Sequence, residues 1–89
     1  MSKGEISWVR TTEDGEKLQL YAHRVGKQWN FYARPKRFEQ WEEVKNPRLE
    51  DWLELLDGIR RRVPRRTVRP EEIDRVRKRI RELFPEQEV

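Results

Sequence analysis

The stretch from Lys17 to Arg34, KLQLYAHRVGKQWNFYAR, decides the fold of this chain. Apolar residues recur at every second position on both sides of Gly26, which predicts two strands that share one apolar face. These residues are Leu18, Leu20 and Ala22 before the glycine and Trp29, Phe31 and Ala33 after it. The glycine lies where an antiparallel hairpin needs a residue that tolerates a positive φ. The stretch therefore predicts a β-hairpin.

A third strand precedes this hairpin. Ile6 and Trp8 continue the same alternation, and Asp14-Gly15 supplies a second turn signal before the hairpin begins. We therefore expect a three-stranded antiparallel meander with strands at Glu5 to Thr11, Lys17 to Val25 and Gln28 to Arg34.

The segment from Phe38 to Val44 is ambiguous. Pro35 ends the third strand, and the spacing of Phe38, Trp41 and Val44 fits either a short strand or a loose helical turn. We favour an extended edge segment, so that the sheet region covers residues 5–44 with three strands and a possible fourth.

The C-terminal half predicts two helices, over residues 46–63 and 70–84. Asn46-Pro47 reads as an N-cap followed by proline at the first helical position, and Pro70 opens the second helix. The expected apolar stripes are Leu49, Trp52, Leu53, Leu56, Ile59 and Val63 in the first helix and Ile73, Val76, Ile80, Leu83 and Phe84 in the second. Leu55 and Val68 fall off these stripes and would suit a contact with another chain.

The resulting fold class is α+β, with an antiparallel sheet covered on one face by the two helices. A chain of 89 residues has room for one hydrophobic core, so we expect a single small domain over residues 1–89. The chain has no cysteine, and no stretch approaches the length of a membrane span. We expect a cytoplasmic protein without disulfides and without a membrane partner.

The sequence contains few residues of the types that catalyse reactions. His23 is the only histidine, and its phase on the second strand points it away from the expected core, with no cysteine to pair with it. The carboxylates between Glu39 and Asp57 suit a solvated face with surface ion pairs to Arg60 and Arg61 better than a metal site. We therefore expect no enzymatic activity, no cofactor and no metal.

Clustered arginines are the strongest chemical signal. Six fall within ten residues, at Arg60, Arg61, Arg62, Arg65, Arg66 and Arg69. From Arg60 to Arg81 the chain has eleven basic and three acidic side chains, an excess of eight positive charges in a protein whose net charge is +4. Guanidinium groups bind phosphates and carboxylates through bidentate hydrogen bonds. Arg60 to Arg62 also suit the negative end of the helix dipole, which is a purely structural role.

The outward face of the sheet offers a second candidate surface. Tyr21, Tyr32 and Arg34 lie in the phase opposite to the core, among other polar and basic side chains. Such a face could stack unpaired bases, and it could equally be an ordinary solvated sheet face, since tyrosine favours strands.

Two functions remain open at this point. The first is a non-enzymatic nucleic-acid-binding module that contacts DNA or RNA through the six arginines, with Tyr21, Tyr32 and Arg34 as a secondary surface. The second is a small protein-interaction domain whose charged helices compensate one another or bind an acidic protein partner. The sequence does not decide the oligomeric state.

Overall fold

The structure is a computed structural model that describes residues 5–35, 39–66 and 68–87. It has an antiparallel sheet followed by two helices, which confirms the α+β class. The chain divides into two compact units, Met1–Pro47 with the strands and Arg48–Val89 with the helices.

Four strands form the sheet, in the order β1-β2-β3-β4. They are β1 (Glu5–Thr11), β2 (Lys17–Val25), β3 (Gln28–Arg34) and β4 (Glu42–Val44). The first three have the predicted bounds. The extended edge segment is confirmed as a strand over its last three residues, whereas Phe38, where it was expected to start, lies outside the described residues.

Glycines form both hairpin turns as predicted. Gly15 and Gly26 have φ of 84° and 62°, a region that residues with a Cβ enter only at a cost. The turn at Gly26 sets the register in which Tyr21 lies opposite Tyr32. This register is what brings the two tyrosines onto the same face of the sheet.

The two faces of the sheet differ as the alternation predicts. Ile6, Leu20, Ala22 and Phe31 are buried on one face. On the opposite face, one row across the four strands consists of Ser7, Tyr21, Tyr32 and Glu43. The outward row is therefore partly aromatic, and the hydrogen-bonded pairing of the strands holds its members side by side.

Helix α1 (Leu49–Arg62) starts later than predicted. Its N-cap is Arg48 and not Asn46, because the Asp51 carboxylate, three residues further on, accepts a hydrogen bond from the Arg48 backbone N–H at 3.4 Å. The helix continues through Gly58 as expected. Helix α2 (Glu71–Leu83) lies within one residue of its predicted bounds, with Pro70 as its N-cap.

The buried face of α1 is rotated relative to the predicted stripe. Leu53 was expected in the core but is 42% exposed, whereas Leu55, expected on the surface, is 0% exposed. The buried apolar set is Trp52, Leu55, Leu56 and Ile59, which is also an i, i+3, i+4, i+7 pattern. The proposed contact of Leu55 with another chain is therefore wrong.

Helix α2 departs from its predicted stripe at both ends. Val76 and Ile80 are buried as expected, whereas Leu83 is 41% exposed. Glu72, a charged residue outside the predicted apolar stripe, is buried and paired with Arg75 at 2.8 Å. The ion pair satisfies a carboxylate that would otherwise be costly to remove from water.

Candidate functional site

The arginine segment, defined as the six arginines from Arg60 to Arg69, follows the end of α1 and the connection to α2. Arg60, Arg61 and Arg62 form the last turn of α1, where positive charge is favoured by the helix dipole. Arg65, Arg66 and Arg69 lie in the connection between the helices. The structure therefore places them in two groups, one helical and one in the loop.

Two members of the arginine segment have structural partners. The Arg61 guanidinium lies 3.4 Å from the Asp57 carboxylate, in an ion pair whose two side chains are both well exposed. The Arg62 guanidinium donates a hydrogen bond to the Gly58 carbonyl oxygen at 3.1 Å, near the end of α1. The Asp57–Arg61 pair was expected from the helical spacing, and pairs of this kind contribute little to stability.

The other four arginines of the segment are exposed. Within the described residues, the side chains of Arg60, Arg65, Arg66 and Arg69 form no ion pair or hydrogen bond. The carboxylates of α1 and α2 therefore leave four guanidinium groups available to an external anion.

Arg66 has an unusual backbone conformation. Its φ of 60° is in the left-handed region, and it is the only described non-glycine residue with a positive φ. Its backbone N–H donates a hydrogen bond to the Val63 carbonyl at 2.9 Å, which closes the turn after α1. Glycine is the usual residue for such a position after a helix, so arginine stands here at a conformational cost.

The basic residues of α2 are partly neutralised. Arg75 pairs with the buried Glu72 at 2.8 Å, and Arg79 pairs with Glu82 at 3.5 Å. The Glu82 carboxylate therefore offsets part of the positive charge of this helix. By contrast, Arg65, Arg66 and Arg69 in the connection between the helices form no side-chain ion pair within the described residues.

On the outward face of the sheet, Tyr21 and Tyr32 come together as predicted. Their rings are stacked, with centroids 4.9 Å apart and planes 20° apart. Each tyrosine therefore covers one face of the other, and neither offers both faces to a ligand. Arg34 lies on the same face, and its Nε donates to the Gln19 side-chain oxygen at 2.8 Å.

Trp41 belongs to this face, although the sequence reasoning did not include it as a site residue. Its ring lies edge to face with Tyr21 at 4.7 Å and 86°, and the Arg34 guanidinium carbon is 4.3 Å from its centroid. The ring remains 37% exposed. Its alternation with the outward-facing Glu43, two residues later, was the signal that could have identified it.

A groove of about 540 Å³ lies beside these rings, within the sheet unit. Its lining residues are Glu5, Ser7, Trp8, Val9, Gln19, Leu20, Tyr21 and Trp41. Burial raises the pKa of the Tyr21 phenol above its ordinary value, and the charges of Glu5 and Tyr32 raise it further. The carboxylate of Glu5 therefore acts electrostatically on an aromatic wall of the groove.

His23 occupies the outward face, opposite Glu5 in β1 and Asn30 in β3. No group of three His, Asp or Glu side chains with the arrangement of a metal site occurs in the ranges 5–35, 39–66 and 68–87. Over the same described ranges, neither helix has the length and apolar character needed to cross a bilayer.

Comparisons with models of protein families, with curated proteins and with solved structures gave no match to this chain.

Proposed function

We propose that this chain is a non-enzymatic nucleic-acid-binding module that contacts phosphates through its arginine segment. The observation that supports the proposal is the exposure of Arg60, Arg65, Arg66 and Arg69, whose side chains have no carboxylate partner within the described residues. A guanidinium group without an internal partner retains its full capacity for bidentate hydrogen bonds to a phosphate.

The conformation of Arg66 adds to this support. A left-handed residue with a Cβ costs about 1 kcal/mol or more relative to glycine. The side chain of Arg66 makes no internal hydrogen bond or ion pair among the described residues that would compensate for this cost. A role in binding an external anion gives a reason for arginine at this position.

The contacts proposed are to the backbone of the nucleic acid and not to its bases. Phosphate contacts set affinity and position but read no sequence, so we expect similar affinities for unrelated sequences. Four phosphate contacts predict a log-log salt slope of about −3.6 on duplex DNA and about −2.8 on a single strand. DNA and RNA are both within the proposal.

Fluorescence anisotropy with a labelled duplex and a labelled single strand, recorded over a range of salt concentrations, tests the proposal. The informative variant is Arg65→Ala/Arg66→Ala/Arg69→Ala, which removes three of the four unpaired guanidinium groups. We expect its salt slope on duplex to become shallower by about 2.7, which is the contribution of three phosphate contacts.

The matched control is Lys17→Ala/Lys27→Ala/Lys45→Ala, which removes the same charge from three exposed positions of the sheet unit. Its salt slope should stay close to that of the unaltered protein. Equal losses in the two variants would mean that net charge and not the arginine segment drives binding. A flat salt dependence, or no binding at low salt, would contradict the proposal.

The alternative of a protein-interaction domain gives a different outcome in the same samples. Sedimentation of the free protein at low and high salt measures self-association through the charged helices. If the chain self-associates at low salt and binds neither nucleic acid, an acidic protein surface becomes the preferred partner of the arginine segment.

A further inference from the structure

The edge of the sheet at β1 has the features of a strand-pairing surface. β1 stands first in the order β1-β2-β3-β4, so among the described residues it pairs with a strand on one side only. Its pairing with β2 has no bulge, and it contains neither proline nor lysine, which commonly protect an edge strand. β1 has seven residues, whereas β4 at the other edge has three. A long and regular edge such as β1 can accept another strand.

Alternate residues of β1 direct their backbone groups toward this edge. The Thr12 backbone N–H donates a hydrogen bond to the Glu16 carbonyl oxygen at 2.8 Å, which makes these two residues a hydrogen-bonded pair at the turn. Such pairs recur at every second residue of an antiparallel ladder, so the even-numbered residues of β1 bond to β2. The N–H and C=O groups of Glu5, Val9 and Thr11 therefore point away from β2. The occupant that they fit is an extended backbone.

The outward side chains at this edge are exposed and partly apolar. Val9 is 59% exposed, the largest fraction among the large hydrophobic residues described. Next to it is the groove on the outward face, which Ser7, Tyr21 and Trp41 help to line. The side chain of Ser7 is short, so an apolar side chain carried by an added strand has room beside the Tyr21 ring.

We propose that β1 pairs with β1 of a second copy of this chain, antiparallel and with the two Trp8 residues opposite each other on a two-fold axis. Such an axis keeps the apolar faces of both sheets on the same side, so opposite residues must belong to the same face. This register meets that condition and pairs the whole strand, whereas shifted registers pair fewer residues. It places Val9 of the second copy opposite Ser7, which lies opposite Tyr21 in β2. The exposed valine of each copy thereby covers the groove of the other.

The charges on the outward face agree with this register. Glu5 lies opposite Thr11 of the second copy, and Thr11 lies opposite Lys17 within its own sheet. The backbones at Glu5 and at Lys17 of the second copy are then two strand spacings apart, about 10 Å, which their long side chains span across the short threonine. Within one chain the two residues lie at opposite ends of the β1–β2 ladder, about 20 Å apart. Only the pairing of two copies brings these opposite charges together.

Sedimentation of the full chain over a range of protein concentrations tests the proposal. At high salt, association through the charged helices is screened, whereas backbone hydrogen bonds and apolar contacts persist, so we expect the dimer to remain. Val9→Lys should weaken it by about tenfold or more, since lysine on an edge strand opposes pairing. The matched control is Val25→Lys on the same face, where the valine is 54% exposed and lies beyond the end of β1. Equal effects of the two variants would contradict the proposal.

A charge exchange tests the register. Glu5→Lys and Lys17→Glu should each weaken the dimer by about threefold to tenfold, because each places like charges near one another at two symmetric positions. The double variant Glu5→Lys/Lys17→Glu should recover the affinity of the unaltered chain. Dispersed amide NMR spectra show that each variant is folded.

The proposal does not rest on the nucleic-acid function, because β1 belongs to the sheet unit and the arginine segment to the helical unit. Nucleic-acid binding by a chain that stays monomeric at every concentration would overturn the pairing and leave the binding function intact. A double variant that dimerises no better than the single variants would also overturn the proposed pairing.

Discussion

Replacing Arg66 with glycine should raise stability and lower nucleic-acid affinity at the same time. The φ of 60° costs a residue with a Cβ about 1 to 2 kcal/mol, and glycine avoids that cost. Glycine also increases the entropy of the unfolded chain, which offsets about 0.4 to 1 kcal/mol of the gain. The expected net stabilisation is about 0.5 to 1 kcal/mol, because no internal side-chain contact of Arg66 is lost among the described residues.

Urea unfolding measures this stabilisation, and Arg66→Ala is the control. Alanine removes the same guanidinium group but keeps a Cβ at the left-handed position, so the glycine variant should be the more stable of the two by about 1 kcal/mol. In a domain of this size that difference raises Tm by about 4 to 8 °C. Both variants should lose the same nucleic-acid affinity. An alanine variant as stable as the glycine variant would refute the strained turn on which the argument for Arg66 rests.

Two further predictions concern the core and the aromatic face. Leu55→Ala should lower the free energy of unfolding by about 2 to 5 kcal/mol and Leu53→Ala by about 1 kcal/mol or less, since Leu55 is fully buried and Leu53 is exposed. Thermal or urea unfolding of the two variants measures both losses. A larger loss for Leu53→Ala would mean that the other face of α1 is buried. Tyr21 should ionise above its ordinary pKa of 10.0, because burial first and then Glu5 and Tyr32 disfavour the phenolate. The folded state then holds this proton more tightly than the unfolded state, so the stability from Tyr21 is complete below pH 10.0 and is lost as pH rises through the folded pKa. Ultraviolet titration of Tyr32→Phe, in which Tyr21 is the only remaining tyrosine, measures the part of the pKa increase that burial and Glu5 cause. A midpoint at or below 10.0 would contradict the electrostatic description.

The sheet was predictable from sequence because two independent signals agree. Strict alternation places Leu20, Ala22 and Phe31 on one face, and glycines mark the turns where a positive φ is needed. The short fourth strand was harder to predict, since the spacing of Trp41 and Val44 also fits a helical turn. Pairing with β3, which the sequence does not display, decides between the two.

The buried face of α1 could not be assigned from periodicity alone. Leucine stands at positions 53, 55 and 56, so two overlapping stripes satisfy the helical pattern equally well. Tertiary packing selects the one that contains Leu55. The predicted start of α1 was also wrong. The Asp51 carboxylate accepts a hydrogen bond from the Arg48 backbone N–H, which makes Arg48 the N-cap in spite of the higher N-cap preference of Asn46.

The two candidate surfaces differed in how far sequence could identify them. The arginine segment is visible from composition, but the ion pairs within it are not. Only the structure distinguishes Arg61, which pairs with Asp57, from Arg65 and Arg66, whose side chains are unpaired within the described residues. The aromatic face was recognised through Tyr21 and Tyr32 without its tryptophan. A contact between residues twenty positions apart is a product of strand order, and local sequence does not encode it.

The salt dependence of duplex binding tests the central proposal most directly. Anisotropy titrations of the unaltered chain and of Arg65→Ala/Arg66→Ala/Arg69→Ala give the two log-log slopes under identical conditions. We predict about −3.6 for the unaltered chain and about −0.9 for the variant, in which Arg60 is the only one of the four unpaired guanidinium groups of the arginine segment that remains within the described residues. Two indistinguishable slopes would show that these arginines do not contact phosphates.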